Sequence, residues 1–215
     1  VSKSSNSWLK EHFKDPFVKQ SWTDGYRSRA AYKLIEIQKK YRFLKPGMNG
    51  VDLGAAPGSW CQVAQQFLGK KGILIALDLL PIEPLPNLTC LQGDFTSEET
   101  FTALNAALSG APIHFILSDM AQNMSGNKTA DQAQSMVLLE LAYDFALQTL
   151  EQGGHFVTKV FQGRDLDALI KQAKQDFTQV HFCKPEASRD RSSEHYLVCL
   201  GIKSLLNLRT PSQRV

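Results

Sequence analysis

Val51-Asp52-Leu53-Gly54-Ala55-Ala56-Pro57-Gly58-Ser59-Trp60 decides the fold of this chain. The apolar run 50–53 breaks into a turn of small residues. An amphipathic stretch follows at once, with Trp60, Val63, Ala64, Phe67 and Leu68 on one side. That order predicts strand, tight turn, helix. Small residues let a ligand approach the backbone closely, and a helix N-terminus offers it free N–H groups. Further on, Ile73-Leu74-Ile75-Ala76-Leu77-Asp78 predicts a second strand that ends in a carboxylate. An acid at that place in a βαβ unit accepts hydrogen bonds from ribose hydroxyls. The turn and the acid together point to a nucleoside-containing cofactor.

A dinucleotide is the poorer fit. Its fingerprint is G-x-G-x-x-G, whereas this turn reads Gly54-Ala55-Ala56-Pro57-Gly58. Pro57 removes a backbone donor, so a pyrophosphate cradle is less well provided than a seat for a cofactor without phosphates.

The rest of the chain repeats the pattern. Strands are expected at 88–91, 113–118, 155–160, 180–183 and 195–202, with helices near 98–108, 131–150 and 165–175. Ser28 is placed to cap a helix running to about Tyr41, with Ala31, Leu34 and Ile35 on one face. Alternating strands and helices imply a parallel sheet covered on both faces. The connection 184–194 is too short and polar for a crossover helix, so the last two strands should form an antiparallel hairpin. The 215 residues, 43% hydrophobic and 21% charged, suit one globular domain. The expected division is a basic arm over 1–27, a single α/β domain over 28–203 and a tail over 204–215.

No apolar run is long enough to span a membrane. The polar N-terminus has no signal-peptide core, and Cys61, Cys90, Cys183 and Cys199 show no metal-ligand spacing. Reduced thiols, a cytoplasmic location, no membrane and no metal are expected. The net charge of +3 says little by itself. Its distribution says more: basic residues including Lys10, Arg27 and Arg29 alternate with Trp8, Phe13, Phe17, Trp22 and Tyr26, and Arg189 and Arg191 cluster later. Such interleaving suits phosphate contacts with base stacking, although charge alone equally describes an ordinary solvated face. On the RNA reading, this arm contributes affinity for RNA and leaves cofactor affinity untouched.

Ligands of open α/β sheets bind outside the carboxyl ends of the parallel strands. Asp119, Lys159 and Glu194 all fall at that edge by counting along their strands. Taken singly, each is more readily a structural ion-pair partner, as in an Asp119–Lys159 pair, than a catalytic group.

The motif D-x-G-x-x-P-G at Asp52–Gly58 resembles motif I of the S-adenosylmethionine-dependent methyltransferases. The longer D-L-G-A-A-P-G-x-W is similar to that of the FtsJ/RrmJ-type RNA ribose 2′-O-methyltransferases. The resemblance spans about residues 8 to 203. It implies a Rossmann-like methyltransferase fold with strand order 3-2-1-4-5-7-6. It also implies a Lys-Asp-Lys-Glu tetrad. Arg27-Ser28-Arg29-Ala30-Ala31-Tyr32-Lys33-Leu34 supplies Lys33, and Ser118-Asp119-Met120-Ala121 supplies Asp119. Val157-Thr158-Lys159-Val160-Phe161 supplies Lys159, and Arg189-Asp190-Arg191-Ser192-Ser193-Glu194-His195-Tyr196 supplies Glu194.

By the same resemblance, S-adenosylmethionine contacts are expected at Gly54, Gly58, Ser59, Trp60, Asp78, Leu79, Asp94, Phe95 and Asp119. RNA contacts are expected at Lys10, Arg27, Arg29, Arg189 and Arg191. In finer detail, Trp8–Phe13, Leu91–Phe95, Asn123–Gly126 and Lys159–Gly163 resemble the branch that methylates a uridine of bacterial 23S rRNA. That implies a monomeric enzyme working on rRNA, within the large ribosomal subunit. Two positions depart from the family pattern. Ser59 stands where glycine is common, and Ala121-Gln122-Asn123 stands for Ala-Pro-Asn. Relatives acting on tRNA or mRNA caps, base methyltransferases and a non-catalytic RNA scaffold are the competing readings. The Asp-Pro-Pro-aromatic signature of base methylation is absent after the fourth strand, and an intact tetrad disfavours the scaffold.

The chemistry needs these residue types. A ribose hydroxyl must lose its proton as the new bond forms, and it must be aligned opposite the leaving sulfur. On the implied roles Lys159 takes the proton, Lys33 orients the hydroxyl, and Glu194 holds a lysine.

Overall fold

The computed structural model describes residues 15–121, 126–163, 166–189 and 192–203. Helices α1 (Pro16–Thr23) and α2 (Ala30–Tyr41) precede β1 (Gly50–Leu53). Then come α3 (Ser59–Leu68), β2 (Leu74–Asp78), β3 (Thr89–Gln92), α4 (Glu98–Leu108) and β4 (Ile113–Ser118). They are followed by α5 (Lys128–Thr149), β5 (Leu150–Phe161), α6 (Leu166–Asp176), β6 (Phe177–Cys183) and β7 (Glu194–Ile202). One seven-stranded sheet has the order β3-β2-β1-β4-β5-β7-β6. The first five strands are parallel, and β7 runs antiparallel to both β5 and β6.

The core has two layers, one on each face of the sheet. On one face Leu34, Ile37, Trp60, Val63, Ala64, Phe115 and Tyr196 pack together under α2 and α3. On the other, Val51, Ile75, Leu104, Ile116, Tyr143, Phe156 and Leu197 pack under α4, α5 and α6. Alternation along each strand sends neighbours to opposite layers, and burial on both faces explains why the central strands read as continuous apolar runs.

Four elements differ from the sequence expectation. Residues 15–27, expected in a separate arm, are part of the domain. Val18 and Ser21 are buried, Tyr32 Oη donates to Asp24, and Gln62 Nε2 donates to the Gly25 carbonyl. Asp15 caps α1 by accepting from Phe17 N at 3.0 Å. Ser28 lies one residue before the cap position of α2, which Arg29 occupies, yet its hydroxyl still accepts from Ala30 N. Strand β5 begins five residues early, because Leu150 pairs with Ile113 before a register shift around Gly153-Gly154. Strand β6 begins three residues early, because buried Phe177 pairs with Ile202. Among the described residues no helix is long and apolar enough to cross a membrane.

Candidate active site

The site lies at the carboxyl edge of the parallel strands, where β1, β2, β4 and β5 end and β7 begins. Two ion pairs occupy its centre. Lys159 Nζ sits 3.2 Å from Asp119 Oδ1 and donates to the Asp119 carbonyl at 2.7 Å. Lys33 Nζ sits 2.8 Å from Glu194 Oε1. Lys33 arrives from α2, Asp119 from just after β4, Lys159 from β5 and Glu194 from the start of β7. All four sequence-expected tetrad residues therefore meet at one edge.

Tyr196 joins the two pairs. Its hydroxyl donates to Asp119 Oδ1 at 2.7 Å, and Lys33 Nζ lies 5.7 Å from its ring centroid. The ring is fully buried and stands 5.6 Å from the Trp60 ring. Burial pushes its phenol well above the usual range, so it acts here as a donor. Sequence reasoning gives Tyr196 no role beyond membership of a motif. A signal is nonetheless present, since a residue two places after Glu194 shares its face of the strand. Burial raises the Asp119 carboxyl, but Lys159, Lys33 and the Tyr196 hydroxyl outweigh it and hold the acid below its ordinary value.

One face of α2 positions the loop before β7. Lys33 pairs with Glu194, while the Glu36 carboxylate accepts from Glu186 N and Ala187 N at 2.6 and 2.8 Å. One turn earlier, Arg29 donates to the Ala187 carbonyl and pairs with Asp15 at 2.6 Å. Arg189 Nε lies 3.6 Å from the same Asp15 oxygen. Arg29, Lys33, Arg189, Ser192 and Glu194 line an open cleft of about 570 Å³ beside the Lys33–Glu194 pair.

A smaller cavity of about 40 Å³ opens over the turn after β1, lined by Ser28, Asp52, Gly54, Ala55, Trp60 and Asp119 among others. Gly54 has φ +69°, and a Cβ there would meet Met120 Cγ at 2.2 Å. Gly58 has φ +104°, and a Cβ there would meet Arg27 Nη1 at 2.7 Å. Both positions therefore need glycine. Ser59, in place of a second glycine, is buried and shares a 2.5 Å hydrogen bond with Ser28 Oγ, which ties α3 to the start of α2. The Trp60 indole donates to the Ala30 carbonyl at 2.9 Å, so its polar atom already has a partner.

Asp78 turns at the end of β2. Its carboxylate accepts from Ala56 N and Leu80 N, both at 2.8 Å, which fastens the acid to the turn. Asp94 follows β3, and Thr96 N–H and O–H hold its carboxyl below the ordinary value. Leu79 is 68% exposed beside Asp78, whereas Phe95 packs its ring on Phe145. Asp52 lies beneath the turn, fully buried, with the Cys61 thiol donating to it at 3.1 Å. Burial, opposed by that hydrogen bond and assisted by Asp119 and Asp78, pushes Asp52 up to about 7. The acids Asp52, Asp78 and Asp119 thus lie around the turn, and Asp94 follows the next strand of the sheet. This donor set fits a cationic, hydroxyl-bearing ligand better than a phosphate.

The basic residues are placed differently from expectation. Arg27 donates to the carbonyls of Pro57, Glu83 and Pro84 at 2.8, 2.7 and 3.0 Å. It clamps the turn after β1 to the loop after β2, an inward contact that the expectation of an RNA-facing side chain did not include. Arg29 is likewise fastened inward. Lys10 and Arg191 lie outside the described residues, as do Gln122 and Asn123.

Comparison with known proteins agrees with this geometry. The model of the FtsJ-like methyltransferase family matches residues 26–202. Ribosomal RNA large subunit methyltransferase E of Acinetobacter baumannii is 52% identical over 206 residues, 96% of this chain and 95% of that protein. Its namesake in Pseudomonas aeruginosa is 51% identical over 202 residues, 94% of this chain and 98% of that protein. A crystal structure of a Plasmodium falciparum protein, described as a ribosomal RNA methyltransferase, superposes with TM-score 0.74 at 34% identity, covering 82% of this chain and 98% of that one. The chain belongs to the FtsJ-like methyltransferase family.

Proposed function

We propose that this protein transfers a methyl group from S-adenosylmethionine to the 2′-oxygen of a ribose, that of a uridine in 23S rRNA of the large ribosomal subunit. The observation that carries the reading is the convergence of Lys33, Asp119, Lys159 and Glu194 beside the turn at Gly54–Gly58. The names borne by relatives at 52% and 51% identity support rRNA as substrate. On this reading the enzyme works as a cytoplasmic monomer.

When bound, S-adenosylmethionine supplies an electrophilic methyl group on a cationic sulfonium. On this reading Asp78 would take its ribose hydroxyls, Asp94 would lie on the adenine side, and Leu79 would cover the base. The backbone from Gly54 to Gly58 is free of bulky side chains where the ligand would approach. Ser59, Trp60 and Phe95 set the shape of the surrounding wall.

Lys159 takes the hydroxyl proton as its neutral amine, the ammonium form that pairs with Asp119 having first given its own proton to solvent. It is 7% exposed at the end of a central strand, and two Asp119 acceptors aim its Nζ. Asp119 keeps its negative charge through Lys159, Lys33 and Tyr196, and so complements positive charge brought into the site. Lys33, held by Glu194, orients the hydroxyl from the opposite side. Alignment of this kind contributes several kcal/mol, and a positioned base about two to four orders of magnitude in rate. Arg29, Arg189, Lys10 and Arg191 guide the RNA backbone toward the cleft.

Mapping ribose 2′-O-methyl groups in rRNA, from cells with and without this protein, tests the reading. One uridine site should lose its modification when the protein is absent. Loss of a base methyl group in its place, or no loss, overturns it.

A further inference from the structure

At the same edge, on the opposite face of the sheet from the tetrad, two rings lie almost parallel. Phe182 and His195 have centroids 4.6 Å apart and an interplanar angle of 12°. Phe182 is the last residue but one of β6, and His195 the second of β7. Register fixes their place. Lys159 pairs with Tyr196, and Val160 with His195, so His195 is next to the catalytic strand. Phe182 pairs with Leu197 one strand further out, about 10 Å from β5. Leu197 and Val160 belong to the core layer under α5 and α6, whereas Tyr196 belongs to the layer under α2. The stacked pair therefore caps one layer, and the Lys33–Glu194 pair caps the other.

The loop 184–193 joins β6 to β7 and separates the two. Its described residues include Lys184 and Arg189, with the acid Glu186 between them. On one side lies the cleft lined by Arg29, Lys33, Arg189, Ser192 and Glu194. On the other lies Phe182, 40% exposed, with His195 behind its ring and β6 the last strand of the sheet. A single exposed aromatic on a protein surface calls for no explanation. This one is held flat by a second ring, stands at the carboxyl edge of the parallel strands, and borders a loop that carries Lys184 and Arg189. That combination is the signature of single-stranded nucleic acid binding: cations along the backbone path and a flat ring for a base.

We infer that Phe182, backed by His195, is a stacking platform for an unpaired base next to the nucleotide that enters the tetrad. The inference rests on the RNA reading above and adds to it a specific contact. The strand would place its target ribose at Lys33 and Lys159, pass Arg189 and Lys184 with its phosphates toward them, and lay a flanking base on the outer face of Phe182. Any base has a π face, so the platform adds affinity and register without selecting sequence.

The test uses Phe182→Leu, which keeps an apolar side chain of similar reach but no ring, and Phe182→Trp, which keeps one. A short oligouridine carrying 2-aminopurine at successive positions reports stacking by fluorescence quenching. Wild type and Phe182→Trp should quench the probe. Phe182→Leu should lose the quench and raise Kd about ten-fold, with the salt dependence of binding unchanged, because no phosphate contact is lost. On large ribosomal subunits lacking the modification, Phe182→Leu should raise KM by a similar factor and leave kcat within about two-fold. A quench that survives in Phe182→Leu, or an unchanged KM, overturns the inference. If wild-type protein methylates no rRNA, the functional reading fails, while the quench still decides whether the platform binds a base.

Discussion

Two aspartates stand near the carboxyl edge of neighbouring strands, Asp52 fully buried and Asp119 partly exposed, and their environments push them in opposite directions. Asp119, just after β4, has a lysine 3.2 Å away and a phenol donor at 2.7 Å, and its carboxyl is held below the ordinary value. Asp52, in β1, has a thiol as its donor and no cation paired with it among the described residues, and it is pushed up to about 7. Burial alone would raise both. The difference is the supply of opposite charge: one acid is a fixed anion in the reaction centre, and the other sits beneath the turn close to neutrality.

Removing the counter-ion breaks this comparison most severely. Lys159→Ala should lower turnover by about three orders of magnitude or more. It also strips Asp119 of its nearest cation, which brings its surroundings closer to those of Asp52. Lys159→Arg separates two roles. A guanidinium keeps the charge beside Asp119 but cannot give up a proton at usable pH. Turnover by Lys159→Arg should therefore stay near the alanine value while cofactor binding, measured by calorimetry, stays near wild type. Near-normal turnover would make Lys159 an electrostatic stabiliser and remove it as the base.

The outer pair should matter less. Lys33→Ala is expected to cost about a hundred-fold in kcat, and Glu194→Ala about ten-fold, because Glu194 acts by holding Lys33. The double variant should cost little more than Lys33→Ala, since the two act as one unit. Additive losses in single-turnover assays would show that Glu194 has a role of its own.

Much of this arrangement was legible in the sequence, and the reason is physical. Asp119, Lys159 and Glu194 lie at strand ends, where the period of the strand and the rule for the carboxyl edge fix their positions from residue order alone. The seven strands were likewise legible as apolar runs, with ends blurred at Leu150 and Phe177, where pairing extends beyond the apolar stretch. Contacts that come from packing between distant segments were not legible. Nothing in the local pattern of Arg27 says that its guanidinium reaches three carbonyls up to 57 residues away. Arg29 and Asp15 were likewise readable only as charges. Tyr196 lies between these cases, placed by strand alternation but given its role by the fold.

Arg27→Glu tests that distinction. The variant loses three donors to the Pro57, Glu83 and Pro84 carbonyls and brings a negative charge to the turn. These bonds are exposed, where a charge-assisted hydrogen bond is worth less than the ~1.5–3 kcal/mol of a sheltered one, so cofactor affinity should fall about five-fold by calorimetry. Arg27→Lys should recover part of it. If cofactor affinity is unchanged while RNA affinity drops, Arg27 is a phosphate contact after all and the clamp has no energetic weight.

The smallest effect returns to Asp52. Its folded value of about 7 lies well above the ordinary 3.8, so the folded state holds a proton that the unfolded state has released between those values. Stability from this group is fully present below about pH 4, declines as pH rises, and is gone above about pH 7. Asp52→Asn cannot ionise and can still accept from the Cys61 thiol. The melting temperature of the variant relative to wild type should therefore climb between about pH 5 and 7 and then level off. The gain should be on the order of 1–2 kcal/mol, a few degrees for a chain of this size. The contrast with Asp119 makes the test sharp, because that acid already carries its charge in the folded state across this range. A difference between Asp52→Asn and wild type that stays flat from pH 5 to 8 would mean that Asp52 is ionised throughout, and that an unpaired carboxylate is tolerated beneath the turn.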